Sequence, residues 1–226
     1  MVKKIQIEIR SVMFIDIVNY TKTTTQLSRE SFDALHDLFD NLSIPTFEQF
    51  SGKVIKKIGD AFLITFNSVT DAVHCGIELQ KKFQDYNFKH ELNPKLQIRV
   101  AIHSGEVLIR NDDVYGDTVN TAARIEGVAG AGDVVFSESV YSTMNKNEFK
   151  VVPLGPRQFK GLSRPINVYK VRTKMDDIRE KEIRRKRFII KIKNKIKNFL
   201  GFILLMGILG LILYIGYFYL QNYFLF

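Results

Sequence analysis

The chain has 226 residues, enough for one sizeable domain with extensions, and a net charge of +9. The charge is uneven, because residues 1–172 carry 22 Lys and Arg against 20 Asp and Glu, whereas residues 173–226 carry 11 against 4. The nearly neutral first part argues against a nucleic-acid-binding face. The single cysteine, Cys75, excludes an intramolecular disulfide.

The first half of the chain predicts a strand, a helix, a hairpin and a second helix. Apolar residues at helical spacing follow Ser28, which suits the N-cap of a helix. Gly59 and Asp60 separate two apolar runs and predict a tight hairpin turn. Ser68 is the predicted N-cap of the second helix. The strands and the second helix are predicted at Val12–Val18, Lys53–Ile58, Ala61–Phe66 and Asp71–Phe83.

The second half of the chain continues this alternation of strands and helices. Ser104 and Gly105 are predicted to form a turn between two strands. The order β-α-β-β-α-β is typical of a split βαβ, ferredoxin-like core, so we expect an α+β domain over residues 8–172. The remaining predicted elements are strands Leu96–Ile102 and Glu106–Ile109, helix Thr118–Val128, strand Asp133–Ser137, helix Ser137–Met144, and strands Val151–Leu154 and Val168–Val171.

The C-terminal part of the chain predicts a membrane anchor. No charged residue occurs from Phe199 to Phe226, and the apolar run 199–220 is long enough for a helix that crosses a bilayer. Arg and Lys residues crowd positions 184–197, and positive residues beside a span stay on the cytoplasmic side. We therefore expect a single-pass, C-terminally anchored membrane protein with a transmembrane helix at 199–220 and a cytoplasmic globular domain.

Residues 173–198 are predicted to join the domain to this helix. Phe188, Ile192, Ile196 and Phe199 lie at helical spacing among the lysines. Two interpretations remain open for this segment. It is either a basic helix lying partly in anionic lipid headgroups or a solvated basic linker.

Two aspartates lie against apolar, strand-like runs. Asp16 interrupts the first strand, and Asp60 lies in the predicted hairpin turn. A carboxylate in such surroundings is costly to desolvate without a partner, and a cation between the two would supply one. Carboxylates from neighbouring strands are suited to holding Mg²⁺ against the phosphates of a nucleotide. The pattern therefore favours a metal–nucleotide site.

Several separated motifs carry more specific information. They are Phe14–Thr21, Lys56–Asp60, Ile102–Val107, Asp113–Arg124 and Phe159–Leu162, the last followed by Arg164-Pro165 and Val168-Tyr169. In this order they resemble the catalytic domain of the class III nucleotidyl cyclases over residues 8–172. The resemblance implies that family's ferredoxin-like fold, followed here by the single transmembrane helix.

The resemblance implies roles for the two aspartates. Asp16, Ile17 and Asp60 match the metal site, with two Mg²⁺ or Mn²⁺ ions in each active site. Two such ions activate the ribose 3′-hydroxyl, which attacks the α-phosphorus in line while pyrophosphate leaves. The alternative interpretation is an unrelated pair, one aspartate in a surface turn and one at a strand end.

Lys56 and Asp113 match the positions that select the purine base. A lysine donates to adenine N1 and an aspartate accepts from the 6-amino group, whereas guanylate cyclases are expected to carry glutamate and cysteine at these positions. Donor plus acceptor fits adenine and would leave unpaired polar groups against guanine. Lys56 could instead be a solvated strand lysine, and a shift of one residue would give the role of Asp113 to Asp112.

Three further residues match the family's substrate-binding positions. Asn120 and Arg124 lie four apart, hence on one helix face; the family uses them to orient the ribose and to stabilise charge on the α-phosphate. Lys160 matches a lysine that binds the terminal phosphates, although a lysine in a glycine-flanked loop is common. His103 is interpreted as structural rather than as an acid or base.

The resemblance implies an adenylate cyclase that converts ATP to 3′,5′-cyclic AMP and pyrophosphate in cyclic nucleotide signalling. The family assembles active sites between two subunits, one giving the metal aspartates and the other the base selectors, so a homodimer is expected. Residues 108–112 are short where the family often has a longer arm around the partner. The alternatives are a guanylate cyclase and a catalytically inactive cyclase-like signalling module.

Overall fold

The computed structural model describes residues 6–25, 27–91 and 95–173, and in the C-terminal part 176–177, 181, 184–185, 187–189, 191–193, 195, 197, 210 and 212–216. The chain divides into two compact units, residues 1–172 and 173–226. The first unit has an eight-stranded sheet. Its strands are β1 Gln6–Ile17, β2 Lys53–Ile58, β3 Ala61–Phe66, β4 Ile98–Arg110, β5 Asp113–Tyr115, β6 Val134–Ser137, β7 Val151–Arg157 and β8 Ile166–Val171. Its helices are α1 Tyr20–Thr24, α2 Arg29–Gln49, α3 Val69–Lys89, α4 Asp117–Glu126 and α5 Glu138–Thr143, with a short 3₁₀ helix at Lys146–Glu148.

The strands lie in the order β2-β3-β1-β4-β6-β8-β7, and β5 pairs with β4. The pairs β2–β3, β3–β1 and β1–β4 are antiparallel, whereas β4 and β6 are parallel. The order β2-β3-β1-β4, with α2 after β1 and α3 after β3, is the split βαβ arrangement. The ferredoxin-like prediction is therefore confirmed for this core.

Helices cover both faces of the sheet. On one face Met13, Ile15 and Ile17 of β1 pack with α2 and α3 in the largest apolar core. On the other face Val12 and Leu63 pack with Ala122 of α4. Because side chains alternate along a strand, Asp16 shares the α4 face with Val12.

The β2–β3 hairpin closes through a two-residue turn. Ile58 opposes Ala61, and Gly59 has φ +61°, a conformation that glycine adopts without steric cost. The turn sets the register, so Lys56 opposes Leu63 on the α4 face, whereas Lys57 opposes Phe62 on the α2 face. The observed bounds of both strands are the predicted ones.

The predicted turn at Ser104-Gly105 is wrong. β4 continues through it, because Ser104 opposes Ser11 and Gly105 opposes Arg10 of a β1 strand that begins at Gln6, before the predicted Val12. Gly105 serves helix packing, since a Cβ at this position would lie 2.7 Å from Thr118 Oγ1 of α4. Helix α3 also extends beyond its predicted bounds at both ends, to Val69–Lys89.

The short arm predicted at residues 108–112 is the β4–β5 hairpin. Arg110 opposes Asp113, and the two loop residues Asn111 and Asp112 have φ of 55° and 59°. Two successive residues with positive φ are typical of a type I′ turn, which Asn and Asp tolerate. The arm is thus a tight hairpin rather than an open loop.

The described residues of the second unit are mostly helical, and Phe188, Ile189 and Ile192 have exposed side chains. Among these described residues, no helix is both long and apolar enough to cross a bilayer. The predicted transmembrane helix at 199–220 lies outside the described residues except for 210 and 212–216.

Candidate active site

Asp16 and Asp60 lie together at one end of the sheet. Asp16, only 8% exposed, opposes Ala61 of β3 and Arg99 of β4, and Asp60 occupies the turn directly before Ala61. The backbone N–H of Ile17 donates to the carbonyl oxygen of Asp60 at 3.4 Å. The structure therefore brings the three predicted metal-binding residues into one group.

Two residues that the sequence analysis missed complete this group, Arg99 and Glu126. Arg99 Nε donates to Asp16 Oδ2 at 2.8 Å, and its guanidinium also forms an ion pair with Glu126 at the end of α4. Arg99 could have been identified from the strand register, because it lies between buried apolar residues of β4 and directly opposite Asp16. We call Asp16, Asp60, Arg99 and Glu126 the acidic edge.

The carboxylates of the acidic edge repel one another. Burial and the neighbouring Asp16 carboxylate raise the pKa of Asp60 to about 6. Burial also raises the pKa of Glu126 to about 7, against the opposing effect of Arg99. The single guanidinium of Arg99 thus offsets the charge of three carboxyl groups, and a further cation would relieve the remaining repulsion.

The acidic edge fits a divalent metal. Among the described residues, no cluster of three or more His, Cys, Asp or Glu side chains has metal-binding geometry. Mg²⁺ does not need such a cluster, because it is commonly held by one or two carboxylates, with waters and substrate phosphates as its other ligands. Asp16 and Asp60 supply the two carboxylates, and their mutual repulsion favours a bound cation.

The predicted base-selecting residues meet each other away from the acidic edge. Lys56 Nζ donates to Asp113 Oδ2 at 2.6 Å, and this hydrogen bond holds the pKa of Asp113 below its usual range. Lys56 Nζ also lies 5.9 Å from the centre of the Tyr115 ring. Oδ1 of the neighbouring Asp112 instead lies 3.5 Å from Nζ of Lys53. Asp113 rather than Asp112 therefore pairs with Lys56.

The remaining predicted substrate-binding residues line α4 and the β7–β8 loop. Asn120 is exposed on α4. Arg124, one turn further, lies against Gly161, where a Cβ would be 3.2 Å from Arg124 Nη2. Lys160 is exposed beside that glycine. No hydrogen bond or ion pair among the described residues joins Asn120, Arg124 or Lys160 to the acidic edge of the same chain.

His103 lies in the middle of β4, which continues through the predicted turn at Ser104-Gly105. Its Nδ1 is 2.7 Å from Ser137 Oγ, and burial lowers its pKa to about 4. The imidazole is therefore neutral at physiological pH and has a structural hydrogen-bonding role, as predicted.

Comparisons with known proteins give a consistent result. A serine/threonine-protein kinase, pkn2 of Myxococcus xanthus, is 31% identical over 160 residues, which cover 71% of this chain and 19% of that protein. The putative adenylate cyclase 3 of Rhizobium meliloti is 25% identical over 168 residues, which cover 74% of this chain and 29% of that protein. The chain thus spans less than a third of the length of these relatives.

A crystal structure of an adenylate/guanylate cyclase/hydrolase from Silicibacter pomeroyi has the same fold, with a TM-score of 0.69 and 23% identity. The superposition covers 75% of this chain and 99% of that one. The sequence profile of the adenylate and guanylate cyclase catalytic domain matches residues 2–173. This chain is therefore a member of the adenylate and guanylate cyclase catalytic domain family.

Proposed function

We propose that this protein is an adenylate cyclase, which converts ATP to 3′,5′-cyclic AMP and pyrophosphate. The observation that carries the choice of ATP over GTP is the Lys56–Asp113 pair, whose nitrogen and oxygen are 2.6 Å apart. Together they offer one donor and one acceptor, which complement adenine N1 and the 6-amino group. Guanine presents an N1–H donor and a carbonyl acceptor at these places, so both protein groups would be left badly paired.

The other polar residues have separate tasks in this reaction. Asp16, Asp60 and the carbonyl of Ile17 would hold the Mg²⁺ or Mn²⁺ ions, which when bound activate the 3′-hydroxyl and neutralise the triphosphate. Asn120 orients the ribose, and the guanidinium of Arg124 stabilises the charge that develops on the α-phosphate. Lys160 binds the terminal phosphates.

The geometry of α4 supports active sites shared between two copies of the chain. Glu126 of α4 belongs to the acidic edge, where it pairs with Arg99. Arg124 lies two positions earlier, about 200° around the helix, and its guanidinium contacts the Gly161 loop instead. If Arg124 acts on a nucleotide held by metal-binding aspartates, those aspartates belong to another subunit.

An exposed apolar row next to the short arm suits such a dimer. Ile7 opposes Leu108, and Leu108 opposes Tyr115, so three side chains that are 63%, 41% and 47% exposed form a row across β1, β4 and β5. Ile9, two residues from Ile7, is 72% exposed and extends the row. Burial of this row by a second copy would remove it from water.

The activity is tested by supplying the purified full chain with ATP or GTP and Mg²⁺ or Mn²⁺, and by measuring both cyclic nucleotides. We expect cyclic AMP from ATP, and a loss of at least about 100-fold in Asp60→Asn, because this change removes the charge that holds metal. Asp112→Asn, an exposed aspartate beside the base-selecting pair, serves as the matched control. Cyclic GMP as the main product would favour the guanylate cyclase, and no product from either nucleotide would favour an inactive signalling module.

The shared site is tested by mixing two inactive variants. Asp60→Asn and Arg124→Ala each disable both sites of their own homodimer, whereas a mixed dimer retains one intact site if the sites are shared. At equal amounts and random pairing, about a quarter of the wild-type activity should return. An absence of recovery under conditions of proven subunit exchange would contradict the shared site.

We also propose that the chain is anchored in a membrane by a single C-terminal helix at 199–220, with the catalytic domain in the cytoplasm. The support is the uncharged run 199–226 preceded by the basic residues of 184–197. The full chain should remain in the membrane pellet after an alkaline carbonate wash, and residues 1–198 should not. Release of the full chain by this wash would contradict the anchor.

A further inference from the structure

Helix α1 follows the metal-binding residues almost directly. Only Val18 and Asn19 separate it from Ile17, and Asn19 adopts the left-handed conformation with φ 61° and ψ 27°. Asn19 makes no side-chain capping bond. A link of two residues gives α1 little freedom to move independently, so a shift of α1 is transmitted to the end of β1, where Asp16 and Ile17 lie.

The hydroxyl groups of Thr23, Thr24 and Thr25 form hydrogen bonds with backbone carbonyls of the same short segment. Thr23 Oγ1 donates to the carbonyl of Asn19 at 3.1 Å, and Thr24 Oγ1 to that of Tyr20 at 3.0 Å. Thr25 Oγ1 donates to the carbonyl of Lys22 at 3.1 Å. These bonds stabilise the turn but do not attach it to the rest of the protein.

Tyr20 supplies the attachment. Its hydroxyl oxygen lies 2.8 Å from Nε2 of His36 in α2, which is the one side-chain hydrogen bond among the described residues that joins α1 to another element. The rings of Tyr20 and His36 meet edge to face with centroids 5.6 Å apart. Phe32 lies 4.6 Å from the His36 ring and 6.3 Å from the Tyr20 ring, which completes a three-ring contact.

This contact lies close to the acidic edge. Burial raises the pKa of the Tyr20 hydroxyl, and the carboxylate of Asp60 raises it further. The backbone of Ile17 also touches Asp60, through the N–H that donates to the Asp60 carbonyl. Asp60 therefore interacts with both ends of the link between β1 and α1, with Ile17 through a backbone hydrogen bond and with Tyr20 electrostatically.

We propose that Tyr20 is a positioning residue for the metal–nucleotide complex. Its hydrogen bond to His36 fixes α1 against α2 and so sets the positions of Asp16, Ile17 and Asp60. In this role the Tyr20 side chain acts through α1, and His36 is its anchor on α2. The inference rests on the proposed function only in that the acidic edge binds a metal–nucleotide complex.

The test compares full-chain wild type with Tyr20→Phe, which keeps the ring and removes the hydroxyl. The ligand is 3′-deoxy-ATP, which lacks the attacking hydroxyl, and its binding in the presence of Mn²⁺ is measured by calorimetry. We expect the dissociation constant to rise about 3- to 10-fold, because loss of the hydrogen bond lowers the fraction of molecules in which α1 holds the metal-binding residues in place. KM for ATP should rise in parallel, while kcat stays within about two-fold.

Further variants separate positioning from general destabilisation. His36→Phe should reproduce the loss, the double variant should lose no more than either single one, and His36→Gln, which keeps a hydrogen-bonding group, should retain most of the affinity. Tyr141→Phe removes a hydroxyl from a tyrosine of α5 whose ring stacks on Tyr169 of β8, and this change should leave binding unaltered. Wild-type binding by a folded Tyr20→Phe, or additive losses in the double variant, would overturn the proposal. Because the binding measurement needs no turnover, failure of the proposed function would appear separately, as a wild type that binds the complex without forming product.

Discussion

The acidic edge and the Lys56–Asp113 pair lie on the same sheet but differ in their electrostatics. Asp16, Asp60 and Glu126 are crowded carboxyl groups with one guanidinium between them, and the pKa values of Asp60 and Glu126 are raised. Lys56 and Asp113 neutralise each other, and the pKa of Asp113 is lowered. One region is under repulsion that a cation relieves, whereas the other is satisfied before any ligand arrives.

Under the proposed function, the two regions would recognise different parts of the nucleotide in different ways. At the acidic edge, repulsion in the free protein favours the metal ions, so binding energy comes from charge neutralisation. At the Lys56–Asp113 pair, a purine would have to compete with an existing ion pair, so this pair would add little affinity and would act mainly on selectivity. Under the proposed function, the first region would determine whether the metal-bound triphosphate binds, and the second would determine which purine accompanies it.

The largest effect is expected on purine preference, when the donor and acceptor of the Lys56–Asp113 pair are replaced. Lys56→Glu combined with Asp113→Cys replaces the donor and acceptor with the groups expected of a guanylate cyclase. The ratio of kcat/KM for ATP to that for GTP should fall by at least about 100-fold, because the polar groups are then mismatched with adenine. Competition between the two nucleotides in one assay measures this ratio directly.

The matched control is the adjacent lysine on the other face of the hairpin. Lys57 Nζ pairs with Asp40 of α2 at 2.6 Å and lies over the Phe62 ring. Lys57→Glu should therefore leave the purine preference unchanged, even if it lowers stability. A change in preference from Lys57→Glu as large as that from the double variant would contradict the assignment.

A smaller effect is expected on the pH dependence of the stability of the metal-free protein. The pKa of Asp60 is raised from 3.8 to about 6, so the folded state binds its proton more tightly than the unfolded state. This contribution to stability is complete below pH 4 and is lost as the pH rises through 6. Asp60→Asn, which is neutral throughout, should raise the melting temperature in EDTA at pH 8 by about 2–4 °C and should differ little from wild type near pH 4.

Asp112→Asn is the comparison for this measurement, because the Asp112 side chain is 94% exposed. Its melting temperature should follow that of wild type at both pH values. An Asp60→Asn protein that is less stable than wild type at pH 8 would show that the acidic edge is not under repulsion.

The smallest effect is expected on stability at the base-selecting pair. The side chains of Lys56 and Asp113 are 41% and 25% exposed, and such ion pairs contribute little to folding. Lys56→Gln should change the free energy of unfolding by less than about 1 kcal/mol, while it lowers ATP selectivity. A urea titration of both proteins checks this, and a loss of several kcal/mol would mean that the pair is structural.

Local patterns in the sequence were sufficient to predict the hairpin that carries Lys56 and Asp60. Apolar runs on both sides of Gly59-Asp60 predict β2 and β3 at their observed bounds, since a glycine in a two-residue turn is a strong local signal. Ser104-Gly105 has a similar composition, but this glycine is needed because α4 packs closely over β4. Sequence alone does not distinguish a turn glycine from a packing glycine, because the second depends on a helix that follows later in the chain.

The candidate site shows the same limit. The resemblance led to Asp16, Asp60, Lys56 and Asp113, and the structure brings them together in two separate pairs. Arg99 was missed because its partner is 83 residues away and becomes visible only when β1 and β4 are placed in register. Residues whose importance comes from a cross-strand neighbour thus need the fold before they can be identified.

The two-residue turn of the β2–β3 hairpin has a consequence for movement. Lys56 and Asp60 are separated only by the last two residues of β2 and by Gly59 of the turn, so their Cα atoms are at most about 14 Å apart. No loop lies between them that could lengthen or shorten, so within one chain this distance is nearly constant. If each nucleotide lies between Asp60 of one subunit and Lys56 of the other, closure around it has to come from rotation of one whole subunit against its partner.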